Sequence, residues 1–230
     1  MISGRILVRW WWSGYAAVYD WLWAGPITDG LAETIRTQAA PVSGPVLDAG
    51  TGTGLIAARL ASLGSVIGID SNLAMLTRAA RRPGIWMVAQ AERPPLEPGS
   101  VATVVAANLI HLCREPDAVL DALAVLLCPG GRLIVSWPAD EVGAWRIARA
   151  ERASGAGLGK TGARFAVRVA VAVSAAGTGS VRRTPTHRVL GAIRSVAATR
   201  GLRDTHDTAL DGLQRLAVLS RPTDRSLETP

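Results

Sequence analysis

Two neighbouring segments, Val46-Leu-Asp-Ala-Gly-Thr-Gly-Thr-Gly54 and Ser65-Val-Ile-Gly-Ile-Asp70, decide the fold of this 230-residue chain. The first begins as a buried strand and places Asp48 at the strand's carboxyl end. The glycines that follow let the backbone approach a ligand closely and turn into a helix, which we expect to end at Gly64. The second segment is a short apolar strand that ends in the carboxylate of Asp70. The pattern predicts strand, glycine turn, helix and strand.

The two acids and the glycine spacing predict a nucleoside site. An acid at the end of the second strand is well placed to accept hydrogen bonds from two vicinal ribose hydroxyls. A dinucleotide fingerprint would need a third glycine where Leu55 stands. Asp48 would repel a pyrophosphate, whereas it could hold a cationic amino-acid end. The spacing therefore favours a nucleoside that carries an amino acid.

Three motifs carry a family resemblance. The pattern D-x-G-x-G-x-G from Asp48 to Gly54, with the acid Asp70 after the next strand, resembles motif I of the class I S-adenosylmethionine-dependent methyltransferases. The segment Gly68-Ile-Asp-Ser-Asn-Leu-Ala-Met-Leu76 is similar to the ubiquinone- and menaquinone-biosynthesis type, and Leu127-Cys-Pro-Gly-Gly-Arg-Leu133 resembles the turn before strand five of the same family. The resemblance covers roughly residues 15–137, in the family's order.

The resemblance implies an α/β fold: a Rossmann-like seven-stranded sheet with helices on both faces and an antiparallel last strand. We expect a helical lid from the N-terminus and from the insert after strand five. The whole chain, 1–230, is predicted to be one domain. Its parts are an aromatic helical cap (1–40), a cofactor-binding core (41–137), a substrate-covering insert (138–200) and a closing hairpin (201–222).

The resemblance also implies which residues hold the cofactor, S-adenosylmethionine, which becomes S-adenosylhomocysteine. Asp48 and the glycine turn would hold the methionyl end, Asp70 the ribose, and Gln90 the adenine edge through its amide oxygen, since the family usually has aspartate there. The stretch Tyr15-Ala-Ala-Val-Tyr19-Asp20 resembles the Tyr-x-x-x-Tyr-Asp stretch before the core of many small-molecule methyltransferases. By this resemblance Tyr19 would close over the cofactor, with Tyr15 as the second candidate. The further cofactor-binding candidates are Ala49, Gly50, Thr51, Gly52, Gly54, Ser71, Met75, Ala91, Glu92, Asn108 and Leu109.

The segment from Asn108 to His111 follows an apolar strand, and ligands of open α/β sheets bind at such strand ends. His111 is the catalytic candidate, as a base for a phenol, enol or carbon acid, or it packs at the start of the next helix. Asn108 is not followed by Pro-Pro-Tyr or Pro-Pro-Phe, and Lys160 is the only lysine. The first fact argues against methylation of adenine or of glutamine amides. The second argues against methylation of ribose 2′-hydroxyls.

The function implied by the resemblance is methyl transfer to a small, fairly hydrophobic acceptor such as a phenol, quinone, polyketide or isoprenoid-like compound. The alternative is a protein of the same fold that binds the cofactor without methylating, as a sensor, a scaffold or a non-methylating catalyst, because a fold does not fix a function.

Composition bears on partners and compartment. The net charge of +7 is concentrated in residues 141–230, which carry 15 basic and 7 acidic side chains. These arginines are scattered and not interleaved with aromatic residues, so we expect no nucleic-acid partner. Cys113 and Cys128 form no disulfide framework or metal-ligand spacing, so we expect no metal. The same two cysteines predict a reducing cytoplasm, and no signal peptide or long apolar run is visible, so we expect a soluble protein. A small-molecule acceptor is the expected partner, and homodimerisation stays open.

The N-terminal segment is the most aromatic part of the chain, with the aromatic residues Trp10, Trp11, Trp12, Tyr15, Tyr19, Trp21 and Trp23. Three interpretations stay open. The segment packs on the sheet as core, it covers the cofactor or substrate, or it forms a membrane-interface helix.

Hydrophobic periodicity and turn residues predict the remaining elements. Helices are expected over 27–40, from Ser71 or Asn72 with Leu73, Met75 and Leu76 against the sheet, and over 115–127, 140–152, 165–176 and 189–200. Strands are expected over 85–89, 101–107 and 132–136, with a hairpin of 204–209 and 213–220 and loops over 154–159 and 177–185. The candidates for substrate contact are Trp145, Arg149, Arg164, Phe165, Arg168 and His187.

Overall fold

The structure, a computed structural model, describes residues 4–140, 142–178 and 183–223, with side chains from residue 11 onward except those of 178 and 211. Its strands are β1 Val46–Ala49, β2 Val66–Asp70, β3 Ile85–Val88, β4 Val101–Ala107, β5 Leu127–Pro138, β6 Arg203–Ala209 and β7 Gln214–Ser220. Its α-helices are α1 Gly4–Trp23, α2 Pro26–Thr37, α3 Leu73–Ala79, α4 Pro116–Ala124, α5 Ala144–Ala153, α6 Leu158–Thr178 and α7 Thr186–Arg200.

The strands form one sheet in the order β3-β2-β1-β4-β5-β7-β6. Neighbouring strands from β3 to β5 are parallel, whereas β7 runs antiparallel to both β5 and β6. The carboxyl ends of β1, β2 and β4 therefore lie at one edge of the sheet, where ligands of such folds bind. The predicted seven-stranded Rossmann-like fold with its antiparallel last strand is confirmed.

Alternating side chains of the central strands form two separate core layers. One layer packs α4 and α7 on the sheet, through buried residues such as Leu120, Leu123 and Ile193. The other packs α2 through Leu31 and Ile35. Both α2 and α7 thus pack on the sheet, although the sequence had grouped them with the cap (1–40) and with the substrate-covering insert (138–200).

Several local predictions were wrong. The expected helix after the glycine turn is two 3-10 helices, Ala57–Arg59 and Ala61–Leu63, because the nine residues between Gly54 and Gly64 are interrupted at Leu60. Leu73 does not pack on the sheet: its side chain is 61% exposed, on the outer side of α3. Asn72, one of the two cap candidates, caps α3 by accepting hydrogen bonds from the backbone N–H groups of Ala74 and Met75.

The segment around Cys128-Pro-Gly-Gly131 also differs from its prediction as a turn. It belongs to β5, whose register against β4 shifts between the pairs Val101↔Leu127 and Thr103↔Arg132. Gly130 has φ +78°, which favours glycine, and a Cβ at Gly131 would lie 2.8 Å from the carbonyl oxygen of Cys128. The glycines thus form a bulge within a strand rather than a reversal of the chain. Helix α6 begins at Leu158, so the loop expected over 154–159 is two residues shorter.

Trp86 of β3 explains why Gly68 has no side chain. A Cβ at Gly68 would lie 2.4 Å from the indole ring, and one at Gly54 would lie 3.0 Å from it. The Trp86 indole N–H donates to the carbonyl of Arg82 at 3.2 Å. The ring therefore packs against both the end of the glycine turn and β2.

Helices α1, α5 and α6 pack together through a buried ionic network. Glu151 of α5 pairs with Arg164 and Arg168 of α6 at 3.0 and 2.8 Å, and all three side chains are at most 5% exposed. The two guanidinium groups also donate to the carbonyl oxygens of Ala24 and Leu22, at the end of α1, at 2.8 and 2.6 Å. The network therefore joins the three helices, which we call the lid helices.

The Trp-rich helix α1 makes specific contacts with the rest of the protein. Trp11 donates to the hydroxyl of Ser174 on α6 at 3.0 Å, and the guanidinium of Arg168 lies 4.9 Å from the centre of the Trp23 ring. Neither α1 nor any other helix in the described residues is long and apolar enough to cross a membrane.

Candidate functional site

The glycine turn carries an open surface at its centre. Gly50, Gly52 and Gly54 have φ values of +69°, +57° and +77°. The N–H groups of Gly50 and Thr51 donate to the carbonyl of Ile69 at 2.9 and 3.0 Å, which fixes the turn against β2. A Cβ at Gly50 would lie 2.8 Å from Leu109, whereas one at Gly52 would meet no atom within 4 Å. The space beside Gly52 is free for a ligand.

Asp70 stands at the end of β2 and binds two backbone N–H groups. One carboxylate oxygen accepts from Gly52 at 2.9 Å and the other from Asn72 at 2.8 Å. Burial raises the pKa of Asp70, and the two N–H groups oppose this rise. Each oxygen keeps a further lone pair, so the carboxylate can still accept hydrogen bonds from a ligand.

Asp48, at the end of β1, is only 2% exposed and accepts a hydrogen bond from the Thr51 hydroxyl at 2.7 Å. Burial raises the pKa of Asp48 to about 7; the Thr51 hydrogen bond opposes this rise, and the charge of Asp70 adds to it. A buried carboxylate without a counter-ion favours a cationic ligand group. The two acids and the turn between them form a site for a ligand that carries both hydroxyls and a cationic end.

The raised pKa of Asp48 predicts a gain in stability for the Asp48→Asn variant. The pKa of Asp48 is higher in the folded protein than in the unfolded chain. Its protonated carboxyl group therefore favours folding at low pH, and this contribution to the free energy of unfolding is lost as the pH rises through about 7. We expect the ligand-free variant to be more stable than the wild type at pH 8, and this advantage to shrink by about 2–3 kcal/mol between pH 8 and pH 5, because the wild type loses stability as the pH rises from its unfolded pKa to about 7. Urea unfolding at both pH values measures this. Equal stability of the two proteins at pH 8 would contradict it.

Helix α1 is tied to the glycine turn by contacts that the sequence did not predict. Asp20 accepts hydrogen bonds from the Thr53 hydroxyl at 2.5 Å and from Arg82 at 2.7 Å. Arg82 also donates to the carbonyl of Thr53 at 2.8 Å. Asp20 is the last residue of the Tyr-x-x-x-Tyr-Asp stretch, and this motif was the feature of the sequence that could have pointed to its contacts. These contacts place the end of α1 directly over the turn.

Tyr15 and Tyr19 lie on the face of α1 that is turned toward the two acids. Burial raises the pKa of Tyr19, and the proximity of Tyr15, Asp48 and Asp70 raises it further. The rings of Tyr15 and Tyr19 meet edge to face at 5.3 Å, and the Tyr15 hydroxyl accepts from the Trp23 indole at 2.5 Å. The structure therefore brings Tyr19 together with both carboxylates.

The candidates for the adenine edge follow β3. Gln90 and Glu92 are exposed and Ala91 is half-buried, and the carbonyl of Gln90 accepts from the N–H of Arg93 at 3.0 Å. Ser71 is exposed beside Asp70, whereas Met75 is 3% exposed and packs in the core. Ser71 and the side chains after β3 are accessible to a ligand, and that of Met75 is not.

The segment after β4 reaches the glycine turn from the other side. Asn108 has φ +55°, and its N–H donates to the carbonyl of Ser136 at 2.8 Å. Within the described residues, its buried side-chain oxygen has no hydrogen-bond partner. Leu109 packs on Gly50, and His111 is 7% exposed. Burial lowers the pKa of His111 to about 4, and the nearby charge of Arg183 contributes, so the imidazole is neutral at pH 7.

A cavity of about 190 Å³ lies beside His111, and we call it the His111 cavity. Its walls include Trp137 and Pro138 at the end of β5, residues 183–185 before α7, and Thr186, the first residue of α7. The N–H of Thr184 donates to the carbonyl of His111 at 2.7 Å, which holds this loop over the cavity. Arg183 was absent from the candidates of the sequence analysis, because no local pattern links it to His111.

The six candidates for substrate contact divide into two groups. Arg164 and Arg168 belong to the buried network with Glu151, which accounts for their burial without a ligand. The side chain of Trp145 is 72% exposed and meets the ring of Phe165 edge to face at 6.3 Å. Arg149 and His187 are exposed.

Comparison with known proteins places the glycine turn and both acids in a defined family. Residues 47–135 match the family model described as a methyltransferase domain. Residues 47–135 are a methyltransferase domain. The predicted resemblance to the class I S-adenosylmethionine-dependent methyltransferases is confirmed over these residues, and S-adenosylmethionine is the cofactor of this class. The domain contains β1, β2, β3 and β4, and it ends within β5.

Curated relatives of the methyltransferase domain align over less than half of this chain. An uncharacterized methyltransferase of Mycobacterium bovis is 37% identical over 95 residues, which are 40% of this chain and 39% of that protein. The ubiquinone biosynthesis O-methyltransferase of Xanthomonas euvesicatoria pv. vesicatoria is 30% identical over 112 residues, 45% of this chain and 47% of that protein. The chain thus spans less than half the length of either relative.

The fold beyond the methyltransferase domain is shared with solved structures. A putative methyltransferase of Haloferax volcanii, solved in complex with the Trm112 methyltransferase activator, superimposes with a TM-score of 0.64 at 17% identity. The match covers 92% of this chain and 97% of that one. At this identity the likeness shows the fold alone.

Proposed function

We propose that this protein transfers the methyl group of S-adenosylmethionine to a small, fairly hydrophobic acceptor. The observation that carries the proposal is the pair of acids, buried Asp48 and half-buried Asp70, on either side of a turn whose central glycine, Gly52, borders free space. The methyltransferase domain supports it, since it contains both acids and the turn.

The residues present fit S-adenosylmethionine in charge and in shape. Asp70 would accept hydrogen bonds from the ribose hydroxyls, and Asp48 would bind the cationic amino group. The free space at Gly52 would allow the ligand to lie against the backbone, whereas a side chain at this position would fill that space. Gln90 and Ala91 would contact the adenine edge, and the accessible backbone after β3 allows this.

The cofactor supplies an electrophilic methyl group on a sulfonium, and the chain supplies position and exclusion of water. Tyr19 would close the site from α1, held there by the contacts of Asp20 with Thr53 and Arg82. Asn108 and Leu109 would form the floor beside the reacting groups. Displacement at a sulfonium depends mainly on alignment and desolvation. His111, neutral at pH 7, would accept a hydrogen bond from the acceptor.

A small-molecule acceptor is favoured by two observations. The His111 cavity, at about 190 Å³, is smaller than the roughly 300–1,000 Å³ of sites for drug-sized ligands. The Xanthomonas relative is named for ubiquinone biosynthesis, which concerns a small molecule.

Transfer of a labelled methyl group tests the proposed activity. The purified protein would be incubated with methyl-labelled S-adenosylmethionine and a panel of phenols, quinones and aromatic acids. We expect label in at least one extracted product with the wild type and none with Asp70→Ala. Cofactor binding without transfer to any of these acceptors would favour the alternative, a cofactor-binding protein that does not methylate.

A further inference from the structure

The His111 cavity is fixed by the fold on both sides. His111 follows β4, and Trp137 and Pro138 end the neighbouring strand β5. On the opposite side, Thr184 donates through its N–H to His111 at 2.7 Å and through its hydroxyl to the carbonyl of Cys113 at 2.9 Å. Pro185, which caps α7, adds a rigid wall. These contacts hold residues 183–185, which carry the exposed side chain of Arg183, against the cavity.

Arg183 brings a positive charge to this cavity. In the part of the chain that the structure describes, its guanidinium forms no ion pair. After burial, its charge is the second cause that lowers the pKa of His111, beside β4. Burial raises the pKa of Tyr15, on α1, and the charge of Arg183 opposes that rise. The acidic residue of the described lining, Asp140, accepts a hydrogen bond from the Thr186 hydroxyl. Arg183 thus brings to the cavity lining a positive charge that no carboxylate of residues 4–140, 142–178 or 183–223 pairs with.

Two buried polar side chains of the cavity lining also lack partners. Trp137 is 1% exposed and His111 is 7% exposed. Among the described residues, neither the Trp137 indole nitrogen nor the His111 Nδ1 has a hydrogen-bond partner. A buried indole N–H without an acceptor is destabilising, and it can only donate. A ligand rich in acceptor oxygens would satisfy it.

We propose that the His111 cavity binds the carboxylate of an acidic acceptor, with Arg183 as the counter-ion and the Trp137 indole as a hydrogen-bond donor. This inference rests on the proposed function and names the class of its acceptor. A planar guanidinium matches a carboxylate in two-point geometry. The prolines and the Trp137 ring form apolar walls for the small body of such a molecule. The neutral His111 adds no charge of its own at pH 7.

The test compares benzoate with benzamide, a neutral molecule of nearly the same shape, by ligand-observed NMR in the presence of saturating S-adenosylhomocysteine. The proteins are the wild type, Arg183→Gln, Trp137→Phe and the control Arg188→Gln, which alters an exposed arginine five residues further along. We expect benzoate to bind the wild type more tightly than benzamide. Arg183→Gln should weaken benzoate binding by about tenfold and Trp137→Phe by a smaller factor, with benzamide binding unchanged by Arg183→Gln.

Three outcomes would overturn the inference. They are no benzoate binding at about 10 mM, equal binding of benzoate and benzamide, or an equal loss in Arg183→Gln and Arg188→Gln. Binding of S-adenosylhomocysteine is measured first on each protein. Its absence in the wild type would refute the proposed function itself, whereas its presence without a preference for benzoate would refute only the acidic acceptor.

Discussion

Replacing Asp70 with alanine is expected to weaken S-adenosylhomocysteine binding by at least about 100-fold, because hydrogen bonds to a charged group contribute roughly 1.5–3 kcal/mol each. The variant loses the acceptors for the ribose hydroxyls and also the contacts with the N–H groups of Gly52 and Asn72. Calorimetric titration of the variant and the wild type measures the difference.

Two further variants separate a ligand effect from a folding effect. Asp70→Asn keeps the size of the side chain and one acceptor oxygen, so it can keep only one of the contacts with Gly52 and Asn72. We expect it to lose less stability than Asp70→Ala in urea unfolding and still to lose about tenfold in affinity. Asp117→Ala removes an exposed carboxylate in the first turn of α4 and should leave the affinity unchanged. Wild-type affinity in the Asp70→Ala variant would mean that the ribose lies elsewhere.

The second large effect is expected at Glu151. Replacing it with glutamine leaves Arg164 and Arg168 buried, at 5% exposure each, without their counter-ion. Burial alone would raise the pKa of Glu151, but the hydrogen bonds and charges of both arginines lower it overall, so the carboxylate is ionised at pH 7. We expect Glu151→Gln to lose about 3–5 kcal/mol of stability in urea unfolding.

The matched control for Glu151 is the exposed pair of Asp121 and Arg200, whose side chains are about 40% exposed. Exposed pairs of this kind contribute less than about 1 kcal/mol, so Asp121→Asn should unfold nearly as the wild type does. A triple variant, Glu151→Leu with Arg164→Met and Arg168→Leu, should recover most of the lost stability, because apolar side chains can replace a buried ionic network. A loss in Glu151→Gln no larger than that in Asp121→Asn would show that the network is not stabilising.

The sequence was sufficient for the parts of the fold that depend on neighbours along the chain. Strand β4 was predicted at its observed bounds, Val101–Ala107, because an uninterrupted apolar run between Ser100 and Asn108 permits few other structures. The first acid, the glycine turn and the second acid were read as one unit, because β1 and β2 are adjacent in both sequence and sheet.

Contacts between distant segments could not be read from local pattern. Asp20 was quoted within a motif, yet its partners Thr53 and Arg82 lie 33 and 62 residues away. From the sequence, Arg164 and Arg168 were predicted to contact the substrate. Their counter-ion, Glu151, becomes apparent only when α5 packs beside α6. The bulge in β5 was taken for a turn because proline and glycine have the same local preference in both.

Calorimetric titration of the wild-type protein at pH 8, with S-adenosylhomocysteine and with NAD⁺ as the comparison ligand, tests whether Asp48, Asp70 and the glycine turn form the proposed cofactor site. At this pH most Asp48 side chains are ionised, since their pKa is about 7. We expect one binding site per chain for S-adenosylhomocysteine and no binding of NAD⁺. A folded sample that gives no heat with S-adenosylhomocysteine, or one that binds NAD⁺ in its place, would contradict it.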